Sequence, residues 1–145
     1  MPKLTDLERD AFLAERGVLM RVAVVRPDGS PLVTPIWFLH EEGAIWFTPR
    51  ARSEWFDCLR RDPRVALCID EPAVPYRKVL VRGRAEIVHE VGQDDLWRDR
   101  YRRIAQRYLA HGDANAYVDG TDDQPRALCA ITLETAEVKT WRMPV

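Results

Sequence analysis

Residues 29–38, Gly29-Ser30-Pro31-Leu32-Val33-Thr34-Pro35-Ile36-Trp37-Phe38, constrain the fold more than any other stretch. They follow the turn Pro27-Asp28-Gly29-Ser30, and Asp-Gly between two apolar runs is a strong hairpin signal. The preceding run, Val18 to Val25, is β-branched and bounded by Gly17 and Pro27, so it reads as the first strand of that hairpin. Pro35 has no N–H to give to a ladder. A proline inside a strand therefore belongs at a sheet edge or a bulge. The expected strand over residues 31–40 should lie at an edge and face something other than another strand, which we read as a flat ligand.

The rest of the chain supports an antiparallel frame. His40-Glu41-Glu42-Gly43 is a second turn, and Ala44-Ile45-Trp46-Phe47-Thr48 a third strand, which together suggest a meander. Helices are expected over 5–15, with Leu7, Phe12 and Leu13 as the apolar stripe, over 53–60, and over 94–109. The last carries Trp97, Tyr101, Ile104, Ala105 and Tyr108 on one face. Val65 to Asp70 and Tyr76 to Val88 read as strands, with Gly83 marking a bulge or bend. Residues 111–125 read mainly as loop, with room for a short helix at 114–118. Residues 127–133 and 136–141 read as a closing hairpin. No strand–helix–strand repeat asks for a parallel sheet. The pattern fits one mainly β domain over residues 1–145, an antiparallel closed or split barrel with about three peripheral helices.

Composition removes several classes. A net charge of −1 gives no bulk case for nucleic acid or an anionic membrane surface. No apolar run reaches the roughly 18 residues that span a bilayer, and the polar N-terminus lacks a signal-peptide core. A cytoplasmic protein is expected. The three cysteines, Cys58, Cys68 and Cys129, have no ligand spacing and read as small apolar residues in a reducing compartment. His40, His89 and His111 form no metal pattern with cysteines or carboxylates, and no nucleophile–base pair stands out. If the chain is an enzyme, an organic cofactor supplies the hard chemistry.

Four groups of residues could bind such a cofactor. Thr48-Pro49-Arg50-Ala51-Arg52-Ser53 joins a strand to a helix start, where arginines, a hydroxyl and free N–H groups suit a phosphate. Solvated arginines beside an ordinary N-cap fit the same residues. Arg77, Lys78 and Arg82 on the long strand could reach an anion or simply face water. Trp37, Phe38, Trp46, Phe47, Trp55 and Trp141 could wall a ring system or build the core. Arg98, Arg100, Arg102, Arg103 and Arg107 read as a solvated helix face, offset by Asp94, Asp95 and Asp99.

Three stretches carry a family resemblance. They are Asp28 to Phe38, Leu59-Arg60-Arg61-Asp62-Pro63-Arg64-Val65-Ala66-Leu67, and Tyr76 to Glu86. In order and spacing the chain resembles the flavin-binding split-barrel superfamily related to pyridoxamine 5′-phosphate oxidase. Its nearest branch there is the small actinobacterial flavin- or deazaflavin-dependent oxidoreductases. The resemblance implies a six- to seven-stranded split barrel and a homodimer with two cofactor sites at its interface. It implies FMN or the deazaflavin coenzyme F-420, and hydride exchange with a small organic substrate. By it, Val33, Thr34, Pro35, Ile36 and Trp37 flank the ring. Trp46, Phe47, Thr48, Arg50, Arg52 and Ser53 hold the ring edge and phosphate, with Arg52 and Ser53 at the phosphate itself. Arg77 and Lys78 add cations, and Trp141 closes the site from either subunit. The family often has a lysine near the place of Arg52. Its vitamin oxidases use a C-terminal Arg-x-His-like region that Trp141-Arg142-Met143-Pro144-Val145 does not match, which argues against vitamin oxidase activity. A non-catalytic carrier of flavin, deazaflavin or haem is the alternative. A nucleic-acid adaptor on the arginine-rich helix is a third reading.

Overall fold

A computed structural model describes residues 2–144. Nine strands and four α-helices occur among them: α1 (Asp6–Leu13), β1 (Met20–Val25), β2 (Pro31–Ile36), β3 (Leu39–Glu41), β4 (Ala44–Phe47), α2 (Glu54–Arg61), β5 (Arg64–Asp70), β6 (Lys78–Arg84), β7 (Glu86–His89), α3 (Arg98–Ala105), α4 (His111–Gly120), β8 (Leu128–Thr132) and β9 (Glu137–Trp141). They form two antiparallel sheets, ordered β2-β1-β5-β6-β9 and β3-β4-β8-β7. This is the split-barrel arrangement with peripheral helices.

The Asp-Gly turn forms as its sequence predicts. Gly29 has φ +87, and the Asp28 carboxylate accepts from the Ser30 N–H at 2.9 Å and its hydroxyl at 2.6 Å. β2 is an edge strand, with β1 as its one neighbour, as Pro35 requires. The expected strand over 31–40 is broken at Trp37-Phe38, where the chain leaves the first sheet and starts β3 in the second. So β1, β2 and β3 are not a meander.

A similar crossing divides the expected strand over 76–88. β6 belongs to the first sheet and β7 to the second, with buried Ala85 at the corner. Gly83 stands just before it for lack of space: a Cβ there would lie 3.0 Å from Ile131 Cδ1 and 3.2 Å from Ala136 Cβ. Gly83→Val should therefore lower stability by about 2–3 kcal/mol in urea melts. A loss near zero would mean that β8 yields freely at this corner.

β1, β5 and β6 send Met20, Val22, Val24, Leu67, Ile69, Val79 and Val81 into the core, against Ile45, Phe47 and Ile131 of the second sheet. α1 adds Phe12 and Leu13, and α2 adds Phe56 and Leu59. Thr5 and Glu8 cap α1 reciprocally, at 3.1 and 2.9 Å. Leu7, expected on the apolar stripe, is 83% exposed instead.

The closing hairpin does not exist. β8 pairs with β4 and β7, whereas β9 pairs with β6 in the other sheet. Residues 111–120, expected mainly as loop, form α4, whose Ala114 and Val118 pack with Trp97, Tyr101 and Ala105. The arginines of α3 are not a free solvated face. Arg100 and Arg103 pair with Glu41 at 3.1 and 2.8 Å, Arg102 with Asp119 and Arg98 with Asp122 at 2.6 Å each. The cysteines are free; Cys58 and Cys129 are buried and Cys68 is half-buried. Among the described residues, no helix is long and apolar enough to cross a membrane, and no group of three metal-ligating side chains forms.

Candidate functional site

The site lies where β2 leaves its sheet, beside the link from β4 to α2. Pro35, Ile36, Trp37, Thr48, Arg50, Ser53, Trp55, Tyr117 and Arg126 line a pocket of about 300 Å³. One wall is apolar and flat. Trp37 stacks on Tyr108, with centroids 5.1 Å apart and planes 6° apart, and meets Tyr117 at 5.5 Å and 55°. The adjacent Phe38 is pinned from behind. Its carbonyl accepts from the buried Arg107 guanidinium, and its N–H donates to the Tyr108 hydroxyl at 3.2 Å. Arg107 also donates to the Leu13 and Glu15 carbonyls at 2.8 Å each.

The other wall is cationic. Ser53 is the N-cap residue of α2, but its hydroxyl caps nothing. It stands beside the Glu54 and Trp55 N–H groups at the helix start, where a macrodipole favours an anion, while the Phe56 N–H is taken by the Ser53 carbonyl and the Glu54 carboxylate turns to Arg26 at 3.1 Å. Residues 49–51 run alongside residues 125–127. Arg50 and Arg126 form an antiparallel bridge, flanked by Ala51 N–H to Pro125 O and Ala127 N–H to Pro49 O, both 3.1 Å. Arg126 is only 8% exposed and donates to the Thr48 carbonyl at 2.7 Å. Arg50 and Arg126 each donate to the Tyr117 hydroxyl at 3.3 Å. Burial works against ionising Tyr117, yet the hydrogen bond from Arg50 and the charge of Arg126 outweigh it and hold the phenol below its ordinary pKa. Tyr101, beneath Arg126, goes the other way: burial pushes it up to about 12.

Of the residues expected from sequence, the pocket brings together Pro35, Ile36, Trp37, Thr48, Arg50 and Ser53. Others lie elsewhere. Val33 is 63% exposed on β2, with Thr34 beside it, and neither lines the pocket. Phe47 is wholly buried core, tilted against Trp55. Trp46 lies under Arg100, whose guanidinium carbon sits 3.8 Å from the ring centroid, and donates to Glu41 O at 2.9 Å. Arg52 is exposed, outside the pocket lining. Arg77 is held by Glu71 at 2.7 Å and Glu15 at 2.9 Å, over the Phe12 ring. Lys78 and Trp141 are cross-strand neighbours, with the ammonium 5.4 Å from the indole centroid. They line a separate cavity of about 780 Å³ with Lys3, Arg9, Val138 and Thr140.

Sequence reasoning missed Tyr117 and Arg126. Tyr117 lies within 114–118, where a short helix is allowed in a segment read mainly as loop, and Ala114 and Val118 at i and i+4 are the helical signal there. Arg126 is a single arginine before an apolar strand, and nothing local marks it as buried.

The family model described as pyridoxamine 5′-phosphate oxidase matches residues 6–141. Among solved structures, a conserved hypothetical protein from Mycobacterium tuberculosis is 25% identical, with a TM-score of 0.75 over 96% of this chain and 85% of that one. An F-420 reductase is 26% identical, with a TM-score of 0.64 over 86% of this chain and 93% of its own. The haem storage protein of Vibrio cholerae, 19% identical, shares the fold with a TM-score of 0.70 over 96% of both chains. No curated protein matches the chain.

Proposed function

The chain belongs to the pyridoxamine 5′-phosphate oxidase family, and from that premise we propose that it is an oxidoreductase using FMN or the deazaflavin coenzyme F-420. The observation behind this reading is the pairing, in one pocket, of a flat wall at Pro35, Ile36 and Trp37 with an anion-seeking wall at Arg50 and Ser53. A flavin-type cofactor has both parts, a planar ring and an acidic tail. The F-420 reductase among the similar structures supports the deazaflavin option. At about 300 Å³ the pocket is at the small end for organic ligands, so it would hold one end of an elongated cofactor. The outer part of the ring would extend past the pocket along the β2 edge at Val33 and Thr34, with the tail at Arg50 and Ser53 and Arg52 beside it.

When bound, the cofactor would supply the hydride chemistry. The chain's residues would bind and orient it. Trp37, braced by Tyr108, offers the ring a rigid face. The Ser53 hydroxyl, the first turn of α2 and the guanidinium of Arg50 would hold the tail. A homodimer would bring the partner's surface against the open side of the pocket, and Lys78 with Trp141 is the pair we assign to that role.

Titrating the purified chain with FMN and with coenzyme F-420, followed by visible absorption and fluorescence, tests the reading. Micromolar binding of one of them is expected, with redox turnover of the bound cofactor by a donor–acceptor pair. Failure to bind either removes the basis of the proposal. Tight binding without turnover by any pair would make the protein a carrier.

A further inference from the structure

We infer that the cavity beside β9 is a second ligand site, built for an elongated apolar molecule with one acidic group, such as a medium-chain fatty acid. The inference goes beyond the flavin reading, because it concerns the opposite edge of the first sheet and holds for the chain with or without a cofactor.

β2 and β9 are the two edges of the five-stranded sheet. Within one chain, four strand spacings, roughly 19 Å, separate this cavity from the pocket at Pro35 to Trp37. At about 780 Å³ it is the larger of the two and lies in the upper part of the range of small-molecule sites. Its walls come from both ends of the chain. Lys78, Leu80, Lys139 and Trp141 share one face of β6 and β9, because Lys78 pairs with Trp141 and Leu80 with Lys139. The N-terminal segment is strapped along β9: Leu4 N–H donates to Thr140 Oγ1 at 3.0 Å, and Arg142 N–H donates to Pro2 O at 3.2 Å. That strap brings Lys3 and Leu4 to the cavity, and α1 adds Asp6 and Arg9.

Leu4, Leu80, Val138 and the Trp141 indole give the cavity hydrocarbon surface, and Asp6 is the one carboxylate in its lining. Two of its four cations are neutralised, Arg9 by Asp10 at 2.9 Å and Asp6 at 3.6 Å, and Lys139 by Glu137 at 3.2 Å. Among the described residues, Lys3 and Lys78 have no carboxylate within ion-pairing distance. The Lys78 ammonium stands 5.4 Å from the Trp141 ring centroid, so a positive charge is held against an apolar wall. Unmatched lysines alone would make an ordinary surface. Here they border apolar surface that continues beyond the cavity. Just past the Lys78–Trp141 pair, Met143 N–H donates to Pro75 O at 2.7 Å, and Val74, Tyr76 and Met143 stand exposed beside that bond. Tyr76 keeps its ring exposed at φ +54, a costly backbone conformation for a residue with a side chain. Contiguous exposed apolar surface rimmed by charge marks a binding groove. A hydrocarbon chain along Leu80 and Trp141 with its acid at Lys78 fits that chemistry. The tail of a flavin-type cofactor, polar along its length, does not. In the homodimer proposed above, Lys78 and Trp141 face the partner's pocket, which sets this ligand next to the cofactor.

The test uses the full chain without cofactor, with decanoate, decanol and acetate as probes in isothermal titration. Decanoate should bind in the micromolar range. Decanol, which lacks the charge, and acetate, which lacks the chain, should each bind at least about tenfold more weakly. Lys78→Met keeps an apolar stem and should weaken decanoate about tenfold to a hundredfold, and Lys78→Arg should restore it. Lys78 is exposed at the start of β6, so neither change unfolds the chain. Trp141→Ala should weaken decanoate and decanol alike, because it removes hydrocarbon rather than charge. The site is overturned if wild type does not bind decanoate, if decanol binds as tightly, or if either Lys78→Met or Trp141→Ala binds decanoate as wild type does. Titrating the same preparation with FMN and coenzyme F-420 separates the two readings. Decanoate binding without cofactor binding removes the flavin reading alone, and cofactor binding without decanoate binding removes this inference alone.

Discussion

Arg107→Met is expected to destabilise the protein by about 3–5 kcal/mol, lowering the melting temperature by roughly 10–15 °C. The side chain is 8% exposed and joins three elements that are remote in sequence. Its guanidinium donates to Leu13 O and Glu15 O at the end of α1, to Phe38 O between β2 and β3, and to the Tyr108 hydroxyl at 3.2 Å. It also lies over the Phe38 ring, 4.4 Å from the centroid. Removing it leaves carbonyls in the interior without donors, which costs more than the bonds were worth. Arg107→Lys keeps the charge but has no planar fork to span the carbonyls, so about half the loss should remain. Urea and thermal melts measure both. A loss below about 1 kcal/mol for the methionine variant would mean that water replaces the guanidinium without cost. Burial also pulls the Arg107 pKa below its ordinary value. Carbonyl and phenol dipoles, rather than a carboxylate, are what hold it charged.

Trp37→Ala should affect both stability and ligand binding. The indole has Tyr108 flat against it and Tyr117 tilted beside it, and it forms the apolar wall of the pocket. It is half-buried, so the stability loss should be about 2–3 kcal/mol, less than for a tryptophan wholly in the core. The affinity for FMN or coenzyme F-420 should fall about tenfold to a hundredfold, because the ring loses its stacking face. Trp37→Phe should recover most of the stability and part of the affinity. An alanine variant that is destabilised but binds the cofactor as before would make Trp37 a packing residue only.

Where the sequence foretold the structure, the signal was local and steric. Pro35 put β2 at an edge because a missing N–H leaves no other place for it, and Asp28-Gly29 set the hairpin before it. The helix carrying Trp97, Tyr101 and Ile104 was legible from period alone, though its α-helical part is only Arg98–Ala105. Where the sequence misled, the deciding partner was distant. β8 and β9 are adjacent and look like a hairpin, yet Leu128 to Ile131 are all buried: β8 is an inner strand with elements on both faces. Period-two alternation cannot reveal that. α4 contains two glycines and little amphipathic pattern, and it forms because Ala114 and Val118 dock on α3. The pocket followed the same rule. Pro35 to Trp37 and Thr48 to Ser53 belong to recognisable motifs, but Arg126 enters through the backbone bridge to Arg50, a relation that exists only once the chain has folded.

The prolines of β2 have one more consequence. An outer strand is an invitation to any other extended chain, and β2 runs six residues with Val33 exposed along it. Pro31 and Pro35 lie at its start and near its end, opposite Val25 and Arg21 of β1. Each removes a donor and narrows the backbone angles, so a strand from another molecule cannot zip along this rim. The two residues thereby guard the edge against fibril-like self-association.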